Sequence, residues 1–320
     1  MAWTRGFGPL MLSKGYLFVH LSDPHLTSLQ HVKAQTLLSK RLLGYLSWRM
    51  HRRAEHRREV LSVLVSALLD KAPDHIVITG DLTHLGLPSE FLEVSRWLPE
   101  LGDPTQVTIV PGNHDAYVKE PWAHTFALWD SYMDSDAGSA SGEQTGNSVV
   151  FPSLRVRGPL ALIGLSSACP TAPFFATGSL GKAQLRRLDQ LLVTTEEQGL
   201  IRTLLIHHPP MTHSVAWRKR LTDSLALRQV LIKRGVELVL HGHAHRFALE
   251  YLETSFGKAP VIGVPSASCI GRKPGHRAQF NLYRCNPGPK GRNLEISIWS
   301  YEPKQDCFVL ECTHTLALPS

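Results

Sequence analysis

Five apolar runs in this chain each stop on residues that bind metals. They lead into His20-Leu21-Ser22-Asp23-Pro24-His25, Ile78-Thr79-Gly80-Asp81, Pro111-Gly112-Asn113-His114-Asp115, Leu205-Ile206-His207-His208 and Leu240-His241-Gly242-His243-Ala244-His245. A short β-branched or leucine-rich run that breaks at Gly, Pro or a polar pair reads as a buried strand ending in a turn. In open α/β sheets, chemistry gathers in the crevice beyond the carboxyl ends of the strands. The chain is therefore expected to be an α/β protein whose strand ends converge on one site.

Length and composition are compatible with that. A chain of 320 residues can bury a large core, and 43% apolar with 19% charged residues excludes a disordered chain. We expect a single domain over residues 1–320. The five cysteines, Cys169, Cys269, Cys285, Cys307 and Cys312, are an odd number without a CxxC pair, which points to a reducing compartment and no disulfide framework. The amino terminus lacks an adequate signal-peptide core, and no apolar run approaches the ~20 residues of a spanning helix. A cytoplasmic protein is the expectation.

Elements are expected in alternation. Strands are expected at 16–21, 76–79, 108–110, 149–151, 154–156, 160–165, 204–206 and 237–240. Helices are expected at 60–69, at 89–98 with Ser89 as cap, at 181–192, and at 225–233 with Gly235 at the C′ position. Residues 116–147 read as a helix followed by a Gly/Ser-rich loop, and 247–320 as strands and turns.

Seven residues form a metal-ligand set: Asp23, His25, Asp81, Asn113, His207, His243 and His245. Oxygen and imidazole donors without thiolate suit Mn, Fe or Zn. Seven exceed the needs of one ion and fit two ions sharing a carboxylate, with Asp81 as the bridge. Such a pair activates a bridging water and clamps a phosphoryl group for in-line attack. His114 adjoins a ligand without being needed as one, so it is expected to act on the phosphate or the leaving oxygen, with Asp115 fixing its tautomer.

These blocks, in this order, resemble those of the calcineurin-like metallophosphoesterases. Ser22-Asp23, Thr79-Gly80-Asp81-Leu82 with Gly86, His207-His208-Pro209-Pro210 and His241-Gly242-His243 are similar to the bacterial branch near the class III cyclic-nucleotide phosphodiesterases. The resemblance covers residues 16–246. It implies a four-layer α/β/β/α sandwich. It also implies one ion on Asp23, His25, Asp81 and His245, and a second on Asp81, Asn113, His207 and His243. His114 would stabilise the transition state or protonate the leaving group, and His208 would be structural. Of the remaining histidines, His84 and His213 follow ligand blocks and are expected to meet substrate, as is Arg246; Arg272 and Lys273 are further candidates.

One segment departs from that pattern. Residues 31–58 hold eight Lys or Arg and one acid, so this insert carries the whole net charge of +7. Leucines, Tyr45 and Trp48 are interleaved with the cations. Two readings stand side by side: a solvated helical excursion, or a surface-seeking element for an anionic membrane. Under the second the protein would lie on the inner face of a membrane. The insert also puts cyclic nucleotides in doubt and favours, as an alternative, a nucleotide-sugar-lipid pyrophosphate of the lipid A pathway. The metal site is expected to lie away from the insert. A non-catalytic scaffold is disfavoured because every ligand position is filled. A nuclease is disfavoured because, outside the insert, the chain is neutral and lacks an aromatic platform.

Overall fold

The computed structural model describes residues 15–30, 32–137, 149–272, 275–288 and 291–319. Most of the Gly/Ser-rich tract after Asp136, His31 and Lys273 lie outside the described residues.

Strand β1 (Tyr16–Leu21) enters the insert, which is α1 (Lys40–Ser47), a π-helical turn (Trp48–Arg52) and α2 (Arg53–Glu55), and then α3 (Arg58–Leu69). There follow β2 (His75–Ile78), α4 (Pro88–Leu101), β3 (Val107–Ile109), α5 (Asp130–Met133), β4 (Ser153–Arg157), β5 (Leu160–Gly164), α6 (Gly181–Glu197), β6 (Ile201–Ile206), α7 (Ser224–Arg234) and β7 (Leu238–His241). The chain ends in β8 (Ala248–Thr254), β9 (Gly257–Gly263), β10 (Gln279–Gly288), β11 (Gly291–Glu302) and β12 (Cys307–Ala317).

The strands form two mixed sheets, ordered β12-β11-β10-β1-β2-β3 and β4-β5-β6-β7-β9-β8. Strands β1, β2 and β3 run parallel, as do β5, β6, β7 and β9. Strand β10 closes against β1 antiparallel, so the C-terminal strands complete the first sheet. Three apolar cores separate four layers. One lies between the first sheet and α3 and α4, through Leu64, Phe91 and Ile78. A second joins the faces of the two sheets through Phe18, Val77, Leu205 and Tyr283. The third packs α6 and α7 on the second sheet through Leu188, Leu231 and Val239. The fold is thus an α/β/β/α sandwich, and among the described residues no disulfide is formed.

Four local expectations are corrected. Helix α4 begins at Pro88, a residue suited to the first helical position, and Ser89 is not its cap. Instead the Glu90 carboxylate accepts from the backbone N–H groups of His84, Leu85 and Leu87, bracing the loop after Asp81. Residues 116–133 hold only two 3-10 turns and the one-turn α5, and their aromatic side chains Trp122, Phe126 and Trp129 pack together onto Phe91. Trp129 stacks on Phe91 at 4.2 Å, and its Nε1 donates to the Phe91 carbonyl. Residues 149–151 form no strand, since the Phe151 carbonyl accepts from Arg187 rather than from a neighbouring strand. The insert is not a solvated excursion along its whole length. Leu37 and Trp48 pack with Leu29, Leu85 and Leu87 in a small core of their own. Arg41 is buried, donating to the carbonyls of Leu85 and Gly86 and pairing with Glu120 at 2.6 Å.

Candidate metal centre

The ends of β1, β2, β3, β6 and β7 meet at the carboxyl edge of both sheets, and all seven expected ligands lie there. Among the described residues, two ligand groups share Asp81: Asp23, His25, Asp81 and His245, and Asp81, His207 and His243. Asn113 joins the second group, its Oδ1 lying 3.2 Å from His207 Nε2. Asp81 Oδ2 is 3.3 Å from the same nitrogen, and Asp23 Oδ1 is 3.0 Å from His245 Nε2.

The backbone is bent to make this possible. Eight described non-glycine residues have positive φ, and five of them are Asp23, His25, Asp81, His243 and His245. Strain of this kind persists where the surroundings over-determine it, and it clusters at functional sites. The loops also approach too closely for a side chain at two glycines. A Cβ on Gly112 would overlap Asp81, and one on Gly242 would overlap Ser22 and Asp23.

Each ring in the heart of the site has one nitrogen committed to a backbone carbonyl. His25 Nδ1 donates to Thr83 at 2.9 Å, His207 Nδ1 to Thr79 at 2.7 Å and His243 Nε2 to Lys219 at 2.9 Å. In His25 and His243 that sets the tautomer and leaves the other nitrogen as a lone pair toward the cluster, as outer partners do at metal sites. His25 Nε2 is buried without a hydrogen-bond partner among the described residues. An orphaned buried nitrogen beside two carboxylates fits a cation. Burial holds His25 and His243 well below the usual imidazole range, so both are neutral donors. Burial also lowers His207, but the charge and hydrogen bond of Asp81, with the charge of Asp23, carry it up to about 9.

Asp115 does not set the tautomer of His114. Its carboxylate accepts from the backbone N–H groups of Asp81, Thr83 and Gly112 and from the Thr83 hydroxyl, so it clamps the β2 and β3 loops together. Burial and then the charge of Asp81 raise it to about 7. The tautomer of His114 is set by the His84 carbonyl, 2.5 Å from Nδ1. Its Nε2 therefore accepts from Arg52 Nη1, at 2.8 Å.

Arg52 belongs to the basic insert, which overturns the expectation that the metal site lies away from it. The π-helical turn adds a residue to the helix and buries Trp48 while Arg52 lines the site. The insert also supplies His56, which stands apart from every metal motif in the sequence. Its Nδ1 lies 2.8 Å from Ser268 Oγ, and with His25 and His245 it forms a third group of neighbouring ligand atoms. A cavity of about 280 Å³ opens over the cluster, lined by Arg52, His56, Asp81, Asn113, His114 and His245 among others.

Among the described residues, none of the expected substrate contacts lines this mouth. His84 is buried behind it, its ring stacked on His25 at 4.9 Å. His213 is exposed and lines neither this cavity nor its neighbour. Arg246 donates to the Ser214 carbonyl at 2.9 Å and so holds a loop. Arg272 is exposed and also lines neither cavity. His208 Nδ1 lies 2.7 Å from Ser167 Oγ, and its ring packs against His207 and His243.

A sandwich of two sheets with clustered Asp, Asn and His at the strand ends defines the class of metal-dependent phosphoester hydrolases. The chain belongs to the calcineurin-like phosphoesterase family, whose model matches residues 16–247. It is 28% identical to a probable cyclic nucleotide phosphodiesterase of Rhodococcus erythropolis, over 79% of this chain and 71% of that one. It is likewise 28% identical to a cAMP/cGMP dual specificity phosphodiesterase of Mycobacterium tuberculosis, over 79% of this chain and 68% of that one. In fold it is similar to a dimetal phosphatase from Danio rerio, with a TM-score of 0.62 at 14% identity, covering 95% of this chain and 99% of that one. The protein is a hydrolase, and its family uses divalent metals.

Proposed function

We propose that this chain is a dinuclear-metal hydrolase that opens a phosphodiester or pyrophosphate bond. The observation that carries this reading is the pair of ligand groups meeting at Asp81. Asp23, His25, Asp81 and His245 would hold one ion, and Asp81, Asn113, His207 and His243 the other, with Mn, Fe or Zn suited to these donors. When bound, two such ions supply Lewis acidity to a phosphoryl oxygen and acidify a water for attack. The protein's own groups bind and orient. Arg52 faces the cluster beside His114, where a guanidinium can grip two phosphoryl oxygens. His114 holds Arg52 there through Nε2. Once Arg52 turns to the phosphate, Nε2 is free to carry a proton to or from the leaving oxygen.

The test is a panel on metal-reconstituted protein: a generic aryl diester, cAMP, a nucleotide-linked pyrophosphate and single-stranded DNA. Diester hydrolysis that a chelator abolishes is expected. Failure on every member would return the chain to a non-catalytic scaffold.

Arg52→Gln should lower kcat/KM for a small diester by roughly 10–100-fold, the worth of a charge-assisted hydrogen bond to an anion. Metal content should stay unchanged, since Arg52 carries no ligand atom. An unaltered rate would remove Arg52 from the site. Neutralising Arg49, Arg53, Arg57 and Arg58 together should leave soluble diester hydrolysis intact.

Those four arginines belong to a second part of the reading, an anionic membrane surface as partner. Leu38, Leu42, Leu43, Leu46 and Met50 are large apolar side chains exposed by 42% or more, all on one stretch of the insert. Among the described residues no helix is long and apolar enough to cross a membrane. An exposed apolar row flanked by cations suits the interface of an anionic leaflet, at ~1 kcal/mol per nearby Lys or Arg. Wild type should co-sediment with anionic vesicles at low salt and release as salt rises, and the four-arginine variant should bind less. Equal sedimentation of both proteins would remove the membrane from the reading.

A further inference from the structure

Beside the metal mouth lies a second cavity of about 320 Å³, between the insert and the loop through Phe174. The two cavities share Arg52, Asn113, His114, Ala176 and Lys219, so they are one continuous groove. Lys40, Arg52, Arg218 and Lys219 line the second part, with no Asp or Glu among the lining residues. Lys40 and Arg52 are half-buried and Arg218 and Lys219 exposed, so four like charges face one groove that an anion can enter. The contrast is close at hand: Arg41, one residue beyond Lys40, is paired with Glu120. Lys40 Nζ instead donates to Thr171 Oγ1 at 2.7 Å and lies 4.4 Å above the Tyr117 ring, which aims it rather than neutralising it. Arg52 Nη1 is spent on the neutral His114 ring.

The scissile phosphate belongs over the metal cluster, next to Arg52. The remaining three cations are surplus to that need. We propose that this groove binds a second phosphate of the substrate, adjacent to the scissile one, so that the preferred substrates are pyrophosphate-linked esters rather than esters with a single phosphate. The inference rests on the phosphoesterase reading above. Hydrolysis would add the oxygen of water to one phosphorus and break the bridging P–O bond. The bridging oxygen leaves with the other phosphorus, giving two phosphomonoesters and releasing two protons. At the rim, Phe174 is 80% exposed, and the 64% exposed Trp217 packs edge-on against the lining residue Phe175 at 5.4 Å, so apolar surface adjoins whatever the second phosphate carries.

The experiment compares kcat/KM for bis(p-nitrophenyl) phosphate, ADP-ribose and a lipid-linked sugar pyrophosphate in detergent micelles, on metal-reconstituted protein. The variants are Arg218→Gln alone and Lys40→Gln with Arg218→Gln. We expect wild type to prefer either pyrophosphate over the diester. The variants should lose that preference by roughly 10-fold or more, mostly through KM, as charged contacts to a phosphate are removed. A preference for the lipid-linked substrate over ADP-ribose would assign the apolar rim to a lipid tail, and the reverse would assign the rim to the nucleoside. Equal loss on diester and pyrophosphate, or no loss on either, would overturn the groove while leaving the phosphoesterase reading in place. No hydrolysis of any of the three by wild type would overturn both.

Discussion

Asp81→Asn should strip the protein of metal and activity together. The substitution is chosen because asparagine keeps the shape and tolerates the left-handed backbone that Asp81 adopts, at φ +56. Its backbone contacts to Asp115 and His25 would also survive. What changes is charge. One carboxylate serves both ligand groups, and an amide offers one oxygen in place of two and no negative charge. The loss should exceed the ~10–100-fold that follows removal of an outer partner of a metal ligand. Bound metal per chain after dialysis, read beside the rate, checks it. Two ions retained with normal turnover would remove Asp81 as the bridge.

His114→Ala should give the opposite pattern, with metals kept and rate lost. The ring offers no atom to either ligand group. Its backbone N–H donates to Asp81 Oδ1 at 2.7 Å and survives the substitution, while the ring's edge-on packing against His25, at 5.0 Å between centroids, is lost. The ring holds Arg52, and under the proposed function its Nε2 serves the leaving oxygen, so its removal should cost roughly 10²–10⁴ in kcat, the range for a general acid or base. The double variant with Arg52→Gln should cost less than the product of the single losses, because the two side chains act through one contact. Metal loss in His114→Ala would show the ring to be part of the ligand set.

The seven candidate ligands, which the structure brings together, were legible in the sequence because their placement is local. A strand rises by a fixed length, its end is marked by Gly or Pro, and the residue just past it must lie at the sheet edge. The bridging place proposed for Asp81 rests on the count of donors and on the two oxygens of a carboxylate. The insert was legible as basic and apolar, and in part this was misleading. Its helical pattern is broken by a π-turn, and the turn decides which of its arginines points inward. Nothing in the composition of residues 31–58 separates Arg52, on the His114 ring, from Arg49 on the surface.

The roles of Asp115, His84 and His56 were out of reach for a different reason. Each depends on a partner brought near by the closure of the sheets, not by neighbours in the chain. His56 meets Ser268 across more than two hundred residues, and Asp115 reaches back to the loop after β2. His84, expected to touch substrate because it follows a ligand block, is turned inward onto His25. By itself, then, the sequence determined the strand ends, the ligand types and the reaction class, since these follow from spacing and donor chemistry. The tertiary structure alone decided which cations enter the site, which carboxylate braces it and which histidine nitrogen is free. Those follow from contacts between distant segments, which no local pattern encodes.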